Sequence, residues 1–216
     1  MEFQQVLARR RMVRSFQDRP IEPDVLDRIL ADAQRGPSAG FSQGFAFVVL
    51  EGPEQTAAFW RHASEEGWRD RPDRPGLLRA PAIILPVSDK RAYLDRYAEP
   101  DKAGTGLADE ANWPVPYWTV DTAFAVMLIL LSAVDAGLGA LFFGLLHADR
   151  AGMRAALGIP GGHEPIGAIA LGYPDGGDRR SPSLRRGRRP PSEMVHRGRW
   201  RPGVSGGQQP GPAAPR

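Results

Sequence analysis

Between Thr119 and Gly144 the chain reads TVDTAFAVMLILLSAVDAG and then LGALFFG, the most apolar stretch of the sequence. Asp121, Ser132 and Asp135 interrupt its first part, and the unbroken apolar run is Ala123 to Leu131. That run is shorter than the about 20 residues a bilayer span requires, so the stretch reads as a helix buried nearly all round in a protein core. Such a helix needs neighbours on every side. A chain of 216 residues has few elements to supply them, and pairing with a second copy of itself is the expected remedy.

The rest of the composition sets bounds. The length suits one domain, taken as residues 1–200, followed by a Pro-, Gly- and Gln-rich tail, 201–216, expected to be disordered. Glu2, Gln4, Gln5 and the arginines from Arg9 interrupt any apolar leader, so a cytoplasmic protein with no membrane association is expected. Without cysteine there are no disulfides, thiolate metal sites or cysteine nucleophiles. The net charge is only +3, and no RNP, KH or zinc signature accompanies the arginines, so no nucleic-acid partner is expected.

Along the chain, Phe3, Val6 and Leu7 have helical spacing within residues 2–11, and Met12 to Phe16 reads as extended. Val25, Leu26, Ile29, Leu30 and Ala33 predict an amphipathic helix with Pro23 in its first turn and Gly36-Pro37 as its stop. PSAGFSQG has loop chemistry, and FAFVVL predicts a buried strand closed by Gly52-Pro53. Residues 54–66 read as helix and RPDRPG as non-helical. PAIILPVS predicts a strand whose Pro86 puts it at an edge or interrupts it. Residues 89–97 read as helix, and EPDKAGTGLADEANWPVPYW as a loop containing Trp113, Tyr117 and Trp118. GALFF predicts a strand, 148–157 a helix with Asp149 in its first turn, and EPIGAIALGYP the last strong strand. Helices and strands interleave without regular βα alternation, which predicts an α+β sandwich of helices on a mixed, mainly antiparallel sheet.

The chemistry-bearing residues leave alternatives open. Arg9, Arg10, Arg11 and Arg14, and later Arg185, Arg186, Arg188 and Arg189, are either solvated charge or guanidinium forks that match phosphate oxygens. PSAGFSQG and GLGALFFG are either connections or places where backbone meets a flat ligand. His62, His147, His163 and His196 show no metal-binding spacing, and no metal is expected. No nucleophile elbow, Walker A or dinucleotide fingerprint is present. If the chain is an enzyme, a cofactor should carry its reaction.

Taken in order, RRMVRSF, PIEPDVLDRILADAQRGPSAGFSQ, FAFVVL, the apolar helix into GLGALFFG, LGIPGGHEPIGAIALGYP and RRGRRPPSEMVHRGRW resemble the FMN-dependent nitroreductase family over about residues 5–200. The resemblance implies an intertwined homodimer with FMN at its interface. It also implies two-electron transfer from NADH or NADPH through flavin N5 to a nitroaromatic, quinone or other small acceptor, in a ping-pong cycle. By the same resemblance Arg10, Arg11, Met12 and Arg14 would surround the FMN phosphate and ribityl chain, with Arg186 and Arg188 reaching the same phosphate. Pro37 and Ser38 would line the flavin from the partner subunit. Phe142, Phe143 and Gly144 would lie along its ring, the Gly144 amide donating to N5. Phe41, Trp113, Tyr117 and Trp118 are the candidate substrate pocket, and the apolar helix is the expected dimer interface.

The sequence also departs from the family pattern, which often has Ser at Met12, Asn at Phe41 and Pro-Trp at Gly44-Phe45. PSAGF is similar to the branch that destroys FMN to make dimethylbenzimidazole, but that branch has Asp at Met12 and Ser at Gly144. A non-catalytic protein that sequesters FMN is the alternative from another functional class.

Overall fold

Strands that read as continuous apolar runs need cover on both faces, and the computed structural model supplies it. It describes residues 1–63, 75–146, 148–178 and 181–201. The strands are β1 (Phe45–Glu51), β2 (Ala82–Asp89), β3 (Gly139–Phe143), β4 (His163–Pro165) and β5 (Ala168–Gly172). Their order is β1-β2-β5-β3, with β4 also paired to β2. Every pairing between these strands is antiparallel. A parallel element enters through a bridge from Met12 to Ala140.

The period-2 alternation of the strands sorts their side chains. Ile83, Leu85, Val87, Leu141, Ala168 and Ala170 face Phe59 and Trp60 of α3 (Gly52–Ala63) and Met153 of α6 (Arg150–Ala156). Ala82, Ile84, Ala140, Ile169 and Leu171 face Leu26, Ile29 and Ala33 of α2 (Pro23–Ala33) and Ala125, Ile129 and Ala133 of α5 (Tyr117–Asp135). Two further helices complete this part: α1 (Phe3–Arg9), and α4 (Lys90–Ala98), capped by the Asp89 carboxylate, which accepts from Arg91 N at 2.9 Å. The result is an α+β sandwich of helices on a mainly antiparallel sheet.

Four details differ from the sequence reading. β2 is central and continuous, because Pro86 falls where its neighbour changes: β5 pairs with Ala82–Ile84 and β4 with Val87–Asp89. β1 is instead the half-exposed edge strand, with Leu50 its buried residue. EPIGAIALGYP divides into β4 and β5, joined where Ile166 N bonds Pro86 O at 3.0 Å. The supposed loop before α5 contains two 3-10 turns, Pro100–Thr105 and Glu110–Asn112, and Tyr117 and Trp118 already belong to the first turn of α5.

Within one chain α5 is not buried all round. Asp121, Thr122, Ala125, Val126, Ile129, Leu130 and Ala133 face inward, whereas Phe124 and Met127 are 46% and 47% exposed. At 19 residues and mean hydropathy 1.7 it is, by length and composition alone, long enough to cross a membrane. Its packing on α2 and the sheet gives the apolar sequence a different use.

The chain divides into two compact units, Met1–Arg179 and Arg180–Arg216. The second unit holds a 3-10 turn, Pro182–Arg186, and α7 (Pro191–Met194), where Arg189 pairs with Glu193 at 3.0 Å. The ends of two sequence expectations, the helix at 64–66 and most of RPDRPG, lie outside the described residues, as does the tail beyond Arg201.

Candidate functional site

The arginine-rich segment is fixed by β3. Val13 N donates to Ala140 O at 3.0 Å, Met12 bridges to Ala140, and Phe16 bridges to Pro174. Close approach requires glycine at 139, where a Cβ would fall 2.7 Å from Val13 Cγ2. Segments from distant parts of the chain thereby share one edge of the sheet: the stretch that carries Arg10, Arg11 and Arg14 runs beside β3, which Gly144 follows.

The arginines are not equivalent. Arg11 Nη1 lies 2.9 Å from Asp178 Oδ2, and Arg14 N donates to Asp178 Oδ1 at 2.9 Å. The Asp178 side chain is 4% exposed and that of Arg11 54%. Arg14 Nη1 donates to Met12 O at 3.1 Å. The Met12 side chain packs partly buried against both core clusters, so the thioether fills the seam between them. Nearby, Asp175 accepts from Ser15 Oγ at 2.7 Å, Gly177 N at 2.7 Å and Arg79 Nη2 at 2.6 Å. These bonds, led by Ser15, hold its carboxyl below the usual carboxylate range.

At the end of β3 the alternation sends the two phenyl rings to opposite faces. Phe143 stacks on Trp60, with centroids 5.6 Å apart and planes 7° apart. Phe142 packs with the α2 and α5 side and covers Gly167, where a Cβ would meet Phe142 Cε2 at 2.5 Å and Phe143 O at 2.8 Å. What the strand presents at its end is therefore backbone. Gly144 is exposed, and among the described residues a Cβ there would meet only Leu146 Cγ, at 3.9 Å.

The Pro37–Phe41 turn is held by α4 and α5. Ser38 O accepts from Phe41 N at 2.9 Å, and Ser38 Oγ accepts from Gln43 N at 3.0 Å. Ala39 N donates to Asp121 Oδ2 at 2.8 Å, and Tyr93 Oη donates to the same oxygen at 2.8 Å. Burial, and then this bond, push the Tyr93 phenol above its ordinary value. Gly44 lets the Tyr93 ring approach, since a Cβ would lie 2.5 Å from Tyr93 Cε2. The ring explains why a larger residue is absent at 44. Phe41 projects outward and is 75% exposed.

Trp113, Tyr117 and Trp118 form a packed aromatic group with Tyr93 and Tyr97, the closest rings being Tyr97 and Trp113 at 4.9 Å. Trp113 Nε1 donates to Leu107 O at 2.7 Å, which anchors the loop to the group. Arg186 closes the 3-10 turn of the second unit, and Arg188 is exposed there. His62 and His163 pair with Asp149 at 3.3 Å and Asp89 at 3.6 Å, and His147 lies outside the described residues. Asp149 is the cap of α6 rather than part of its first turn, accepting from Gly152 N at 2.9 Å. Sequence reasoning missed Asp178, Gly167 and the Asp121–Tyr93 pair. A glycine inside a strand pattern was the available signal for Gly167, whereas the other contacts join residues far apart in the chain.

A sequence profile of the nitroreductase family matches residues 7–173, a span from the end of α1 through β5. The chain belongs to the nitroreductase family. A protein of Methanothermobacter thermautotrophicus, named provisionally as an NADH dehydrogenase/NAD(P)H nitroreductase, is 28% identical over 177 residues, covering 81% of this chain and 78% of that protein. An NADPH-dependent oxidoreductase of Staphylococcus aureus is 24% identical over 164 residues, covering 75% of this chain and 61% of its own length. Among solved structures, a nitroreductase-family protein of Clostridium difficile has a TM-score of 0.67 at 21% identity and covers 93% of this chain and 100% of its own. NfrA1 of Bacillus megaterium has a TM-score of 0.70 at 18% identity, covering 94% of this chain and 76% of its own.

Proposed function

We propose that the protein is an FMN-dependent oxidoreductase, a homodimer that draws two electrons from NADH or NADPH and delivers them to a small oxidised acceptor such as a nitroaromatic or a quinone. The observation that carries this reading is the pairing of the arginine-bearing segment with β3 through Met12 and Ala140, the strand being followed directly by the exposed Gly144, in a chain of this family. The residues fit the cofactor. Guanidinium forks suit a phosphate, and at Gly144, where an added Cβ would come no nearer than 3.9 Å to Leu146 Cγ among the described residues, there is room for a planar ring.

Arg10, Arg11 and Arg14 would hold the phosphate, and Met12 would flank it through its backbone. The Gly144 amide would donate to the ring and orient it without adding a titratable group, with Phe142 and Phe143 supporting that backbone from either face. Pro37 and Ser38 would line the ring from the partner subunit, and Phe124 and Met127 on α5 would be covered by that partner. FMN would supply the redox chemistry, and use of one site by donor and acceptor in turn predicts parallel-line initial velocities. Purified protein should be yellow and lose its absorbance near the flavin band on anaerobic addition of NADH or NADPH. A colourless preparation that fails to retain added FMN would end this reading.

A further inference from the structure

The turn after α2 is strained beyond what a connection needs. Gly40, Phe41 and Gln43 all have positive φ, at 61°, 56° and 50°, and two of them carry side chains that rarely adopt that region. Burial does not compensate Phe41, which is exposed. Strain of this kind persists only where surrounding contacts over-determine it. Those contacts can be named. Arg96 Nε donates to Gly40 O at 2.9 Å while its guanidinium is held in two-point geometry by Asp101, at 2.7 Å to each oxygen. The other anchor is Asp121, a 3%-exposed carboxylate inside the apolar helix α5. A single oxygen, Oδ2, accepts from both Ala39 N and Tyr93 Oη.

A buried carboxylate facing two neutral donors is a poor way to stabilise a helix, since leucine would cost less in an apolar setting. It is a good way to hold a backbone amide in one place. We propose that Asp121 is a positioning residue, pinning the Ser38–Gln43 turn in its strained form so that Ser38 and Phe41 are presented as a rigid rim of the flavin site. The inference rests on the flavin reading for the identity of that site. The pinning itself does not depend on it.

Because both bonds end on one oxygen, an amide can replace the carboxylate geometrically and an alanine cannot. The test is hydrogen exchange by mass spectrometry on the full chain, comparing peptides that cover 39–43 with peptides that cover 125–133 of α5. Asp121→Ala should accelerate exchange at 39–43 at least tenfold and leave 125–133 unchanged, and Asp121→Asn should stay within threefold of the parent at both. No acceleration at 39–43, equal acceleration at 125–133, or an asparagine variant as loose as the alanine one would overturn the proposal. Should Asp121→Ala not fold, Tyr93→Phe removes one donor without removing volume. Threefold faster exchange confined to 39–43 then supports the pinning, and none overturns it.

FMN titration by fluorescence quenching supplies the second readout, with affinity expected to fall at least fivefold in Asp121→Ala and to recover in Asp121→Asn. Unchanged affinity beside a loosened turn would overturn the link to the rim. If the parent protein binds no FMN, the flavin reading fails by itself, and the exchange comparison still decides the pinning.

Discussion

Replacing Gly144 by alanine separates the stability of β3 from its use. The φ of Gly144 lies outside the left-handed region, and among the described residues the added methyl would meet only Leu146 Cγ, at 3.9 Å, an ordinary van der Waals contact. Alanine also restricts the unfolded chain, so stability should be unchanged or higher by about 0.4–1 kcal/mol. A ring seated against the Gly144 backbone, by contrast, would have to move to admit the methyl. Overpacking of that kind costs about 1–3 kcal/mol, which lowers affinity roughly 5-fold to 150-fold. Gly167→Ala is the contrasting control. Its methyl would lie 2.8 Å from Phe143 O, a backbone atom, and 2.5 Å from Phe142 Cε2, so it should lose about 1–3 kcal/mol of stability directly. Urea unfolding gives the first quantity and FMN fluorescence titration the second. Gly144→Ala binding FMN within twofold of the parent would refute the placing of the flavin against this strand end. A loss of more than about 1 kcal/mol of stability in that variant would refute the reading of Gly144 as unconfined.

Other outcomes follow from the same geometry. Asp178 neutralises Arg11 and sits beside the proposed phosphate position, so Asp178→Asn should tighten FMN roughly tenfold and leave riboflavin unchanged; equal effects on both ligands would show that the carboxylate acts only on local structure. Met127→Asp puts a charge on the exposed face of α5 and should yield a folded monomer in analytical ultracentrifugation, whereas a persistent dimer would place the interface elsewhere. The Tyr93 phenol is raised in the folded protein, so the native state holds that proton more tightly than the unfolded chain, whose value is about 10. Its contribution is complete below about pH 10 and is lost as the pH rises above it. Urea unfolding between about pH 8 and 11 should therefore fall more steeply for the parent than for Tyr93→Phe, and identical slopes would contradict the assignment.

What the sequence determined was whatever depends on neighbours in the chain. The 3.6-residue spacing of Leu26, Ile29 and Ala33 fixed α2, and the apolar runs at 45–50, 82–88 and 139–143 fixed three strands, because periodicity and local stops act over a few residues. The order of motifs was enough to reveal the family. Tertiary structure decided which faces are used. Pro86 read as an edge signal, yet β2 is central, since the missing N–H falls at the exchange between β5 and β4. The apolar composition of α5 read as burial all round, yet Phe124 and Met127 are open within one chain. Phe142 and Phe143, adjacent in sequence, are sent to opposite faces by the pleat, leaving backbone at Gly144. Asp121 read only as an interruption of an apolar stretch, and its partners Ala39 and Tyr93 lie 82 and 28 positions away. Side-chain chemistry is written locally, but the partner that gives a buried carboxylate its task is chosen only when distant segments close upon it.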